Sequence, residues 1–389
     1  MIKSIKVMLV PNNKQKDKLF NYASTSRFAY NWALSKQKEN YENGGKFIQD
    51  KILRKEFTQL KNQEEFKWLN SISNNVTKQA IKDACNSYKR FFKGYSKFPK
   101  FKSKKKTRPS FYQDNEKIKF TETHVKLENL AVSKKKNKQK LNWIRLAEHN
   151  RIQTNCKYYN PRIIHDGINW FITIGIEYED NVETPVNEPI GIDLGIKDLA
   201  ICSDGNTYKN INKTKRIKML EKKMRRLQRK ISRKYLRNKR GGEFCKTSNI
   251  IKSESELLKL NHKLKNIRKN YLHHTTTEIV NRKPRYITIE DLNISGMMKN
   301  KHLSKAIAQQ SLYEFTRQLE YKSKWNNIEL RKVNRFFPSS KMCCECGFVY
   351  KELKLSDRIY KCKCCNNVID RDYQASMNLR DAKEYKIIA

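Results

Sequence analysis

The sequence is short of acids. Against 84 Lys and Arg stand 39 Asp and Glu, so the 389 residues carry a formal net charge of +45. Self-repulsion on that scale calls for a polyanionic partner, with nucleic acid ahead of an acidic membrane surface. Long apolar runs are also missing. None approaches the ~20 residues of a spanning helix, which weakens the membrane reading. Met1 to Pro11 has a short apolar patch but no small-residue cleavage site, so no secretory signal is expected. What is present suffices for folding: 38% of residues are apolar and 11% aromatic, and the length fits two or three domains of ~150 residues each. Of ten cysteines, six lie between Cys343 and Cys365. Without an export signal, such clustering points to metal binding rather than to disulfides. The expected class is an intracellular nucleic-acid protein.

Along the chain, Ile2 to Val7 alternates apolar and polar as a strand does. After Pro11 the period becomes helical, with apolar stripes at Leu19, Phe20 and Ala23 and at Phe28, Ala29, Trp32 and Ala33. A further helix is predicted over about Asn75–Lys93, with Ala80, Ile81, Ala84, Tyr88, Phe91 and Phe92 on its inner face. Lys78, Lys82, Lys89 and Lys93 stripe the other face, a solvated surface or one that tracks phosphates. Lys97 to Arg108 holds seven basic residues with Phe98 and Phe101 between them, suited to phosphates and unpaired bases or to a flexible basic loop. Short β-type runs follow at Val125 to Val132, Leu141 to Leu146 and Ile163 to Ile176, the last broken by a hairpin turn at His165-Asp166-Gly167. They predict a small β domain that also recruits the opening strand. The acidic stretch Glu177 to Glu188 reads as a linker. Two heptad-like seams, Ile217 to Ile231 and Leu257 to Tyr271, predict an antiparallel helical hairpin broken at Arg240-Gly241-Gly242. Lys213 to Arg240 carries fifteen Lys or Arg against Glu221 alone, which fits an arm lying on nucleic acid.

Two chemical patterns stand out. Cys343-x-x-Cys346, then Cys362-x-x-Cys365 after fifteen residues, has the spacing of a closed four-cysteine zinc ribbon, with Cys344 and Cys364 as spare thiols. Three acidic places are harder to assign singly. Asp193 sits mid-strand in Pro189 to Asp204, between glycines that leave room for a backbone or a phosphate. Glu290 and Asp291 end an alternating strand. Asp370 and Asp372 open a helix-like run, where acids also serve as caps. Together they meet the demand of phosphodiester hydrolysis for several carboxylates around two Mg²⁺ ions.

GIDLGIKDLAICSDG at Gly191 to Gly205, ITIEDLNISGM at Ile287 to Met297, and Pro338 to Leu379 resemble the split RuvC nuclease and inserted zinc ribbon of transposon-encoded TnpB proteins, relatives of type V CRISPR effector nucleases. Ser26 to Leu34 and Lys97 to Lys102 also resemble the opening of that family. The resemblance implies a multidomain α+β fold: a RuvC-like, RNase H-like nuclease domain at 188–339 and 367–389, with a helical hairpin at about 212–283 and a zinc ribbon at 340–366. A β-barrel-like wedge domain at 1–11 and 96–187 would be interrupted by a helical recognition domain at 12–95. It implies Asp193, Glu290 and Asp372 as catalytic Mg²⁺ ligands, and Zn²⁺ on Cys343, Cys346, Cys362 and Cys365. Asn75, Lys78, Gln79, Lys82, Lys100, Lys102, Arg225 and Arg229 are the candidate nucleic-acid contacts.

The implied activity is RNA-guided cleavage of double-stranded DNA beside a short motif, leaving a 5′-phosphate. The implied particle is a monomeric ribonucleoprotein with a guide RNA from the element's end, cytoplasmic and nucleoid-associated, with no membrane partner. Departures from the family pattern are Gln374 for an Asn, Asn366 for a Gly after the last cysteine, and Leu312 where an aromatic is common; none removes a carboxylate. The competing functions are a guide-dependent repressor that does not cut, and an unguided DNA-binding or transposition accessory protein. The three intact carboxylates weigh against the first. The lack of a catalytic Tyr in a His-hydrophobe-His setting, or of a Ser-recombinase pattern, weighs against direct transposition chemistry.

Overall fold

Strand and helix periods alternate along the chain, and the computed structural model resolves them into two compact units, Met1–Asp180 and Asn181–Ala389. It describes residues 2–130, 140–154, 156–178, 184–354 and 356–389.

In the first unit the opening alternation forms β1 (Ile2–Val10), and Asn12 stops it. The Asn12 side chain accepts from the Gln15 N–H at 2.9 Å while Gln15 accepts from the Asn12 N–H at 2.9 Å, a capping box that starts α1 (Asn13–Glu42). The two apolar stripes belong to the two ends of this one helix. Leu19, Tyr22 and Ala23 join a β-sheet core, and Ala29, Ala33 and Leu34 join a helical one. The helical core is completed by α2 (Asp50–Leu60) and α3 (Asn74–Phe92) through Leu53, Phe57, Ala80, Ile81, Ala84 and Tyr88. The expected inner face of α3 ends at Tyr88. Phe92 is 52% exposed, among Tyr41, Phe47 and Phe91 at the end of the helix.

The remaining strands are β2 (Ser110–Tyr112), β3 (Lys119–Phe120), β4 (His124–Lys126), β5 (Trp143–Leu146), β6 (Tyr158–His165) and β7 (Trp170–Glu177). With β1 they form an antiparallel sheet of order β2-β6-β7-β1-β5-β4-β3. The expected strand from Val125 to Val132 is shorter: β4 stops at Lys126, Leu127 and Leu130 are buried without extending it, and Val132 lies outside the described residues. Of the stretch Glu177 to Glu188, residues 179–183 also lie outside them.

The second unit is built on β8 (Ile190–Leu194), β9 (Asp198–Cys202), β10 (Thr207–Lys209), β13 (Tyr286–Glu290), β14 (Glu329–Val333) and β17 (Tyr385–Ile387), in the order β10-β9-β8-β13-β14-β17. The first three strands are antiparallel. β13 runs parallel to β8, β14 runs parallel to β13, and β17 returns antiparallel. The crossover from β10 to β13 is the helical hairpin, α4 (Lys215–Arg237) and α5 (Ser248–Asn281). Its tip is the ribbon β11 (Lys239–Arg240) and β12 (Glu243–Phe244), turned by Gly241 and Gly242 at positive φ. Between β13 and β14 lie α6 (Ile294–Met297), α7 (Ser304–Gln310) and α8 (Leu312–Trp325). Ile190, Ile192, Leu194, Ile287 and Ile289 pack with Leu272, Ile279, Phe315 and Leu319 of α5 and α8, burying one face of the sheet. Leu312, the departure noted in the sequence, is buried in the same core. After β14 come the cysteine segment with β15 (Ile359–Lys361) and β16 (Val368–Asp370), then α9 (Arg371–Arg380).

Candidate active site

Alternation along β8 sends Ile190, Ile192 and Leu194 into the apolar core and leaves Gly191 and Asp193 on the opposite face. That face is covered by α9 at very close range. A Cβ on Gly191 would lie 2.0 Å from the Ser376 carbonyl oxygen and 2.4 Å from the Arg380 amide nitrogen. Of the two readings of this glycine, the close approach is therefore made by a backbone. The parallel register sets Thr288 beside Gly191 and Ile289 beside Ile192. Glu290, one residue on, shares the face of Asp193 at the strand ends. The start of α9 supplies the third acid. Asp370 is its N-cap and accepts from the N–H groups of Asp372 and Tyr373, each at 3.0 Å. Capping falls to Asp370, and Asp372 stands in the first turn, with Arg371 Nη2 at 3.1 Å and Arg358 Nη1 at 3.5 Å.

The electrostatics register this convergence. Burial, then the charges of Glu290 and Asp372, push Asp193 up to about 8, against a partial pull from Arg371. Burial also raises Glu290, opposed by the hydroxyl of Ser339 that donates to it. Asp291 points elsewhere, paired with Lys332 at 3.3 Å and Arg335 at 3.2 Å. Burial first, and then the neighbouring negative charges, disfavour the Asp193 anion, and carboxylates near enough to feel one another are oxygen donors of the kind that suits hard divalent cations such as Mg²⁺. Ser339 carried no expectation. Its place just before the first cysteine pair was the available signal.

The cysteines form a second centre. Ligand atoms of Cys343, Cys346, Cys362 and Cys365 all lie within 4.8 Å of one another, the one such group of metal-ligating side chains among the described residues. Gly347 and Asn366, at φ 74° and 58°, turn the two knuckles, so Asn366 meets the left-handed requirement of a glycine there. The N–H groups of Cys365 and Cys364 point at Cys362 Sγ and bring that thiol down to about 6. Cys344 instead accepts from Asn367 Nδ2 at 3.8 Å, and Cys364 is exposed. The geometry suits one tetrahedral ion such as Zn²⁺.

The candidate nucleic-acid contacts are scattered. Lys78, Lys82 and Lys100 are exposed. Gln79 donates to Asp83 at 2.8 Å, and Asp83 is held by Arg162; Asn75 donates weakly to Glu128 at 3.4 Å. Lys102 has a structural occupation: its ammonium lies 3.5 Å from the centre of the Tyr30 ring, and Asn31 bonds both its N–H and its carbonyl. Arg225 and Arg229 are exposed on α4, where they line a groove with Gln228, Ser232 and Arg233.

Three family models match the chain and together span more than half of it. A helix-turn-helix domain model of the IS605 OrfB group matches residues 1–46, which here form β1 and α1 rather than two helices. A "Probable transposase" model of that group matches 173–301, and a "Cas12f1-like, TNB domain" model matches 313–379. The "Putative RNA-guided DNA endonuclease InsQ" of Escherichia coli K12 is 29% identical, over 97% of this chain and 91% of that protein. A "Putative RNA-guided DNA endonuclease" of Streptomyces pristinaespiralis is 27% identical over 97% and 88%. In fold, the chain resembles the protein in a cryo-EM structure of a Cas12f1–sgRNA–target DNA complex, with a TM-score of 0.63, 15% identity and 99% of each chain covered. No helix among the described residues is long and apolar enough to cross a membrane. With an α+β fold, a four-cysteine cluster and family matches from its first residues to its last helix, the chain belongs to the TnpB family.

Proposed function

We propose that the protein is an RNA-guided, Mg²⁺-dependent DNA endonuclease encoded by a transposable element, cutting through one RuvC-like site. The observation that carries this reading is the carboxylate cluster around Asp193, where burial and then the charges of Glu290 and Asp372 make the anion costly without a cation. The strand order of the second unit, three antiparallel strands and then two parallel ones, supports an RNase H-like nuclease domain over 188–339 and 367–389 with the zinc ribbon at 340–366. The names of the two full-length relatives support the guide RNA and the DNA target.

In this reading Asp193, Glu290 and Asp372 hold the metal. Bound Mg²⁺ supplies activation of water and charge compensation at the leaving oxygen of the phosphodiester. The chain's own part is preorganisation: β8 and β13 set two carboxylates on one rigid face, and the cap at Asp370 leaves Asp372 available to the same site. Arg371 and Arg358 limit the repulsion at Asp372 before metal enters. The β domain and helical domain of the first unit and the basic face of α4 would carry the RNA and DNA contacts.

The test is cleavage of a plasmid target by the guide-loaded protein in Mg²⁺. Asp193→Ala and Glu290→Ala are each expected to abolish cutting while DNA binding by the loaded particle stays near wild type. Undiminished cutting by either variant would overturn the assignment, and binding without cutting by the wild type would favour a guided repressor.

A further inference from the structure

We infer that Ser339 is the positioning residue for Glu290, and that Asn378 holds Ser339 in place by clamping its loop to the helix that carries Asp372. The inference rests on the metal-dependent reading of the site and adds residues that this reading does not need.

Glu290 ends its strand, where a side chain with three rotatable bonds has little to orient it. The Ser339 hydroxyl donates to Glu290 Oε1. Ser339 is 4% exposed and Glu290 half-buried, so the donor side of this bond is shielded from water. The loop that carries it has no regular structure, yet its geometry is closed. The N–H groups of Lys341 and Met342 both reach the Pro338 carbonyl, at 2.9 and 3.0 Å. Asn378, itself 4% exposed, spends its side-chain N–H groups on the two ends of the turn: Nδ2 lies 2.7 Å from the Ser339 carbonyl and 2.6 Å from that of Met342. Asn378 lies on α9, whose first turn holds Asp372. One chain of contacts, α9 to Asn378 to Ser339 to Glu290, therefore sets the spacing of two acids that come from different elements. Cys343 follows Met342 directly, so the same turn links the four-cysteine centre to the carboxylates.

A group that orients a metal-binding carboxylate alters metal affinity by about 10- to 100-fold when removed. The experiment uses the guide-loaded protein and Mn²⁺, followed by the electron paramagnetic resonance of free Mn²⁺ and, separately, by cleavage of a matched target. Ser339→Ala is expected to raise the half-saturating Mn²⁺ by about tenfold or more in both assays. Zinc content, retained RNA and melting temperature should stay at wild-type values. Ser339→Thr keeps the hydroxyl and should recover most of the affinity. Asn378→Asp keeps the shape, loses both donors and should shift affinity in the same direction as Ser339→Ala. Mn²⁺ half-saturation within about twofold of wild type in Ser339→Ala and Asn378→Asp would overturn the inference while leaving the nuclease reading intact. So would a loss of zinc or melting temperature with unchanged affinity, which marks a structural role only. A wild-type protein that neither binds Mn²⁺ nor cuts would overturn the reading of the site and this inference with it.

Discussion

Gly191 is where the geometry of the site rests on one missing methyl group. Any side chain there meets the backbone of α9, which cannot rotate away as a flexible side chain would. Gly191→Ala should destabilise the fold by about 1–3 kcal/mol as an overpacked contact. Because the displaced helix carries Asp372, cleavage should fall by about a hundredfold even in the folded fraction. Melting curves and single-turnover rates separate the two effects, and a variant with wild-type values in both would contradict the close packing. Lys322 offers a pH test remote from the carboxylates. Burial brings its ammonium down to about 8 from 10.5, even with Thr276 and Thr277 hydroxyls at 2.6 and 2.7 Å and the His273 carbonyl at 2.9 Å. A base lowered by folding is charged in both states below its folded value, so the desolvation cost is fully present there and is relieved as pH rises towards 10.5. Wild-type stability relative to Lys322→Met is therefore expected to increase between about pH 8 and 10. A difference that is flat across that window would contradict the burial.

Among the elements, the four-cysteine segment and the α4 arm make separable demands. The cysteine segment has a small core of its own, Cys343, Leu353, Tyr360 and Cys362, so an ion bound there would supply much of its folding energy. Cys343→Ser or Cys362→Ser should leave zinc below one equivalent per chain and make residues near 340–366 the first cut by protease. Wild-type stoichiometry in both variants would argue against the ribbon. The arm pairs its few acids within the hairpin, Glu221 with Arg268 at 2.8 Å and Glu256 with Lys223 at 3.5 Å, which leaves Arg225 and Arg229 exposed along a groove. Reversing both charges should weaken nucleic-acid binding and reduce the slope of log affinity against log salt by about 1.5. An unchanged slope would make this face a solvated one.

For the whole molecule the controlling quantity is the charge of +45. Purified under high salt with its native downstream flank expressed alongside, the protein should retain one dominant RNA with a constant scaffold and a defined 3′ end. A smear of cellular RNA would instead indicate affinity for phosphate without a guide.

Much of this was legible in the order of residues, because some information is local. The spacing of two CxxC pairs, the alternation of Ile190 to Leu194 and of Tyr286 to Glu290, and the heptads of the hairpin each reflect contacts within a few turns or along one strand. Acids flanked by glycine or ending a strand were visible as candidates. How their elements meet was not, because β8, β13 and α9 are separated by the helical hairpin and the cysteine segment, and only the parallel register and the close approach at Gly191 bring the three together. The occupation of Lys102 by Tyr30 and Asn31 and the reach of Ser339 to Glu290 likewise depend on partners far away in sequence. Local pattern determined which chemical groups the chain carries and on which kind of element. Long-range packing decided which of them meet, since a hydrogen bond or a shared charge field depends on distance in space, which no spacing along the chain encodes.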